Sequence, residues 1–156
     1  MRLSIHSVAG RRPDWERAGF EAYVARLPHH VRLELVELPL EKAGRNRAPL
    51  RARELEGERL LKGIPAQAYK VALDERGRAL SSRVFAERLE RWQQHASHIA
   101  FIIGGPDGLS APVLKAAQET LSLSSLTLPH GLVRVVLAEQ IYRAFTILDG
   151  HPYHRD

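Results

Sequence analysis

The chain ends in HPYHRD, His151 to Asp156, straight after its most apolar helix-like segment. Two histidines, a tyrosine and an arginine offer proton transfer, hydrogen bonding and anion binding within six residues. Either this is a solvated tail, or it is chemistry held at the end of a core helix. A metal site is not expected from His151 and His154, because two histidines without carboxylate or thiolate neighbours fall short of the three or four ligands zinc takes. No hydrolase triad motif accompanies them.

A second group of residues punctuates FIIGGPDGLS, where Gly104, Gly105 and Gly108 lie between a buried strand and a helix start. Glycine lets backbone approach a ligand, and a helix start offers free N–H donors. The spacing matches neither the dinucleotide fingerprint nor the phosphate loop. Asp107 is acidic and no Lys or Arg occurs between His98 and Lys115, so a neutral or cationic ligand with an adenosine portion suits the loop better than a phosphate. A tight turn that needs glycine for its own geometry is the competing reading. Further on, SLSSLTLPH presents short hydroxyl side chains that leave backbone accessible for reading an adenine edge. Strand-to-helix capping by Thr127 and Pro129 accounts for the same residues.

These groups need elements to position them. RLSIHSV, VRLELVEL, AYKVALD, HIAFIIGG and LSLSSLTL read as strands; PDWERAGFEAYVARL, PLRARELEGERLLKG, SSRVFAERLERWQQH, SAPVLKAAQET and PHGLVRVVLAEQIYRAFTILDG read as helices. Serine caps are expected from the SS that opens SSRVFAERLERWQQH and at Ser110, with Pro129 opening and Gly150 closing the last helix. Alternation of this kind predicts an α/β fold with a mainly parallel central sheet flanked by helices, in a single domain over residues 1–156. Ligands of such sheets bind beyond the carboxyl ends of the strands, here Asp74, residues 104–108 and residues 124–129. The last helix is apolar nearly all round, which asks for cover on more than one side. A two-fold homodimer supplies it, and so does a central position in a monomer. Glu139 and Arg143 are spaced for an ordinary i, i+4 ion pair.

Lys and Arg number 23 against 18 Asp and Glu, a net charge of +5, and the excess belongs to the first two thirds of the chain. Its densest part, KAGRNRAPLRAR, holds Lys42, Arg45, Arg47, Arg51 and Arg53 with no acidic residue. Both a solvated face and a phosphate-binding patch fit it. The chain has no cysteine, which excludes disulfides and thiolate chemistry. No signal peptide or membrane span is expected, and a cytoplasmic protein without a membrane partner follows.

The runs FIIGGPDGLS, LSLSSLTLPH, LVRVVLAEQIYRAF and HPYHR, with the early PDW and VELP, closely resemble the rRNA large subunit methyltransferase H family, a minimal branch of the SPOUT methyltransferases. The resemblance implies an S-adenosylmethionine-dependent enzyme that methylates N3 of a pseudouridine in helix 69 of 23S rRNA in the assembled ribosome. It also implies a C-terminal deep trefoil knot, a rare exception to unknotted connectivity. The cofactor walls it implies are Leu73, Gly104, Gly105, Gly108, Ser124, Ser125, Leu126, Thr127, Leu128 and Pro129, with no metal. Tyr153, His154, Arg155 and Arg143 become the catalytic candidates. In the family the tail completes the active site of a homodimer.

His154 could accept the N3 proton, the arginines could stabilise the anionic base or bind phosphate, and Tyr153 could stack on the flipped nucleotide. His130 fits a substrate contact and a helix-start residue equally well. The sequence departs from the family at Gly131, where a larger or more rigid residue is common. A non-catalytic basic ribosome-binding factor on the same fold is the rival reading, and a flavin or dinucleotide protein would need phosphate-gripping residues that the loops lack.

Overall fold

A computed structural model describes residues 1–10, 12–40 and 48–154. Five parallel strands form one sheet in the order β2-β1-β4-β3-β5, with β1 Arg2–Ala9, β2 Arg32–Pro39, β3 Tyr69–Ala79, β4 His98–Ile103 and β5 Glu119–Ser122. The helices are α1 Asp14–Val24, α2 Pro49–Lys62, α3 Ser82–His95, α4 Ala111–Ala116 and α5 His130–Leu148. The expected α/β layer with a parallel sheet is therefore present.

Strand β4 lies at the centre and all six of its residues are buried, as a parallel strand covered on both faces must be. Its alternate side chains divide the core. Ile99, Phe101 and Ile103 join Leu3, Ile5, Leu89 and Ile141 beneath α1, α3 and α5. Ala100 and Ile102 join Val8, Leu60 and Val113 beneath α2 and α4. Ser4, His6 and His98 are buried polar exceptions; the Ser4 hydroxyl lies 2.9 Å from His6 Nε2 and 2.7 Å from His98 Nε2.

Three elements differ from the expectation. Strand β3 runs past the expected AYKVALD to Ala79, so Leu73 and Asp74 lie within it and not at its end. The fourth helix stops at Ala116, and the final strand is Glu119–Ser122, so residues 123–128 are loop and not strand. The Gln118 N–H bonds Lys70 O and its side-chain oxygen accepts the Lys70 N–H, which draws the chain into the sheet edge before the sequence turns strand-like. Of the expected serine caps, Ser81 accepts a hydrogen bond from Val84 N at 3.2 Å. Ser110 stands at the α4 N-cap position without a capping bond, its hydroxyl packed where a Cβ on Gly57 would be. Residue Gly150, φ +69°, follows α5 as expected for a left-handed helix stop.

Candidate functional site

The middle of β3 and the loops after β4 and β5 border an open cavity of about 670 Å³. The first wall comes from β3, which slips register against β5 between Leu73 and Arg78 and turns Asp74, Glu75 and Arg76 toward the cavity. Burial raises the Asp74 carboxyl pKa, but hydrogen bonds from the Arg76 N–H at 2.9 Å and Nε at 3.2 Å outweigh it, and the net shift is down.

The second wall is the glycine loop. A turn closes with Gly108 N–H donating to Gly105 O at 3.0 Å, and Gly108 has φ +78°, a conformation costly for a residue with a side chain. A Cβ on Gly104 would lie 2.7 Å from the carbonyl carbon and oxygen of Gly108, so the loop folds this tightly only on glycine. Behind it, the buried Glu56 carboxylate of α2 faces Gly105.

Residues 122–128 form the third wall. Ser122 Oγ donates to Ser124 O at 2.8 Å and Leu126 N–H donates to Ser124 Oγ at 2.9 Å, holding an extended loop whose Leu126 is 75% exposed. Eight of the ten expected wall residues line the cavity: Leu73, Gly104, Gly105, Gly108, Ser124, Leu126, Thr127 and Leu128. Ser125 and Pro129 do not. Sequence reasoning missed Glu75, Arg76, Ile103, Ser122, Leu123 and Val133 as lining; the strand-end rule points to Ser122 only with β5 ending there, six residues before the expected end at Leu128.

His130 borders the cavity, but its Nε2–H donates to Val8 O at the end of β1. Burial lowers its pKa against the opposing effect of that bond, so the ring is a neutral tether from α5 to β1. Nearby Arg134 is 2% exposed between Glu16 at 3.6 Å and Glu37 at 3.9 Å. In the basic segment, Arg51 is exposed and paired with Glu54 at 3.1 Å, whereas Arg53 lines the cavity. Lys42, Arg45, Arg47 and Arg155 lie outside the described residues.

The tail takes a different place. Tyr153 OH donates to Glu139 Oε1 at 3.1 Å, its ring meets Tyr142 edge-on at 4.6 Å, and Arg26 and Arg143 lie 5.0 and 5.1 Å from its centroid. Burial and the bond to Glu139 push its pKa up to about 12. Arg143 also donates to Glu139 at 2.7 Å, as the i, i+4 spacing predicted. His151 Nδ1 accepts the Tyr153 N–H, and His154 Nδ1 is buried without a partner. None of residues 151–154 lines the cavity. Glu139 is nine residues along α5 from His130, about 13 Å at the helical rise.

Among the described residues no group of three His, Asp or Glu could hold a metal ion. Likewise, no helix of the described residues is long and apolar enough to cross a membrane.

The family model described as "Predicted SPOUT methyltransferase" matches residues 1–154. A protein of Hahella chejuensis named Ribosomal RNA large subunit methyltransferase H is 42% identical over 156 residues, all of both chains. Proteins of the same name from Xanthomonas axonopodis and Stenotrophomonas maltophilia are 47% identical over 155 residues, 99% of each chain. Among solved structures, a probable methylase family protein from Haemophilus influenzae superposes with a TM-score of 0.54 at 15% identity, over 99% of this chain and 70% of that one, a likeness of fold.

Proposed function

The chain belongs to the SPOUT methyltransferase family, and from that premise we propose that it is an S-adenosylmethionine-dependent rRNA methyltransferase acting on N3 of a pseudouridine in helix 69 of 23S rRNA. It works in the cytoplasm on the assembled ribosome, and its C-terminal part carries the family's trefoil knot. The observation that carries the reading is the cavity, which eight of the ten expected wall residues line. Its chemistry fits the methyl donor. Short side chains and bare backbone at Ser122, Ser124 and Thr127 suit an adenine edge, while Asp74, Glu75 and Asp107 suit a cationic sulfonium.

When bound, the donor supplies an electrophilic methyl group. The protein's part is to hold the base in line, which is worth roughly 7 to 11 kcal/mol, and to manage the N3 proton. The tail of the same chain lies against the middle of α5, so the tail that completes each cavity comes from the partner of a homodimer. The α5 residues Leu132, Val136 and Gln140, half-buried along one stripe, form part of that dimer surface. In this arrangement His154 accepts the proton, Arg143 and Arg155 stabilise the anionic base, and Tyr153 holds the nucleotide. The basic segment from Lys42 to Arg51 contacts the RNA backbone.

Calorimetric titration with S-adenosylmethionine tests the reading. Saturable binding supports it; no heat at millimolar donor leaves the non-catalytic ribosome-binding factor in its place.

A further inference from the structure

We propose that Arg53 is the anion-binding residue of the cavity, taking an oxyanion of the molecule seated there; the proposal rests on the methyltransferase reading above. Arg53 was grouped by sequence with a run of surface cations, yet α2 treats the members of that run differently. Arg51 is exposed and paired through one nitrogen with Glu54 at 3.1 Å and Glu58 at 4.0 Å. Arg53 is half-buried and borders the cavity, and its Nε is buried with no hydrogen-bond partner. Among the described residues it makes no ion pair, although Asp74, Glu75 and Asp107 line the same cavity.

Its position follows from the helix. Arg53 and Glu56 are spaced i, i+3, so they share a face of α2. Glu56 is buried against Gly105, and Arg53 stands one turn earlier at the cavity. The helix is thus held to the glycine loop by one residue while the other presents a guanidinium to the space in front of it. A guanidinium at the cavity wall with no carboxylate paired to it offers its N–H groups to an incoming carboxylate or phosphate in a charge-assisted bond. Arg76, the neighbouring cation, is already bound to Asp74. The oxyanion has two sources: the carboxylate of the methyl donor's amino-acid portion, or a phosphate beside the target nucleotide.

The test compares wild type, Arg53→Gln and Arg53→Lys in the full chain. Calorimetry uses S-adenosylmethionine and its decarboxylated analogue, which differ only in the carboxylate; filter binding uses a helix 69 RNA hairpin at several salt concentrations. If the donor's carboxylate is the partner, Arg53→Gln weakens S-adenosylmethionine about tenfold or more, leaves the decarboxylated analogue unchanged, and Arg53→Lys recovers part of the loss. If it is an RNA phosphate, both adenosyl compounds bind as before, and RNA affinity falls with a shallower salt dependence. No change in any of the three overturns the proposal. So does equal weakening of the two adenosyl compounds, with or without a lower melting temperature. Wild type that binds neither adenosyl compound instead sinks the methyltransferase reading, and the anion site is then decided by the RNA arm alone.

Discussion

The Glu16 carboxylate lies so close to Gly131 that a Cβ there would stand 2.0 Å from Oε1 and 2.1 Å from Oε2. The same carboxylate is 3.6 Å from the buried Arg134, so it cannot swing away without leaving that cation short of a counter-charge. It also faces the first turn of α5, where negative charge is favourable. Glycine at this position leaves the carboxylate its room. The sequence alone showed only a helix-weakening choice.

Gly131→Ala is therefore expected to destabilise the protein by about 1 to 2 kcal/mol, even though alanine improves helix propensity by up to about 1 kcal/mol. In a Glu16→Ala background the same change should cost nothing or help. Chemical denaturation of the four proteins in this cycle measures the coupling. A stabilising Gly131→Ala in the presence of Glu16 would contradict the contact.

Ser4 bridges His6 and His98, and one hydroxyl can donate to only one ring while accepting from the other. Burial, then the neighbouring His98 and Arg2, lower the His6 pKa to about 4, with Glu34 opposing; His98 is also lowered, first by burial. The unfolded chain thus binds protons that the folded one refuses. Stability is full above about pH 6.5 and falls as pH drops from there toward 4, by on the order of 2 to 3 kcal/mol for His6. Melting temperatures across this range should show the loss, and His6→Gln should flatten it. An unchanged slope in the variant would assign the acid sensitivity elsewhere.

Gly104→Ala drives a methyl group into the Gly108 carbonyl at 2.7 Å, which backbone cannot evade cheaply. The expected result is a loss of about 1 to 3 kcal/mol and S-adenosylmethionine binding weakened at least tenfold. Gly105 is roomier, with Leu40 at 3.1 Å and Glu56 at 3.2 Å, so Gly105→Ala should cost less. Equal, wild-type donor affinity in both variants would remove the glycine loop from the site.

Deleting residues 151–156 should abolish methylation while S-adenosylmethionine affinity stays within a fewfold of wild type, because residues 151–154 line no part of their own cavity. Mixing this deletion with Gly104→Ala subunits should restore activity, since one mixed dimer site joins an intact cavity to an intact tail. No recovery after subunit exchange would place the tail in its own chain's site.

Much of this was legible in the sequence. The strands and helices follow from period and punctuation, and the strand-end rule leads to the glycine loop and most of residues 124–129; it reaches Asp74 although β3 runs on to Ala79 past a register slip that no local pattern shows. The rest depended on contacts between distant residues. Nothing local tells that Gln118 pins β5 into the sheet early, turning the expected strand at residues 123–128 into the cavity wall. His130 looked equally suited to substrate and to structure, and only the Val8 carbonyl, 122 residues away, shows its tether. Arg51 and Arg53 were indistinguishable by charge; one turn of α2 against Gly105 separates them.

The most direct test is mass spectrometry of helix 69 from ribosomes incubated with the protein and S-adenosylmethionine. The expected result is one methyl group on N3 of a pseudouridine, absent without the donor. Helix 69 left unmodified by protein that binds the donor would contradict the proposed substrate.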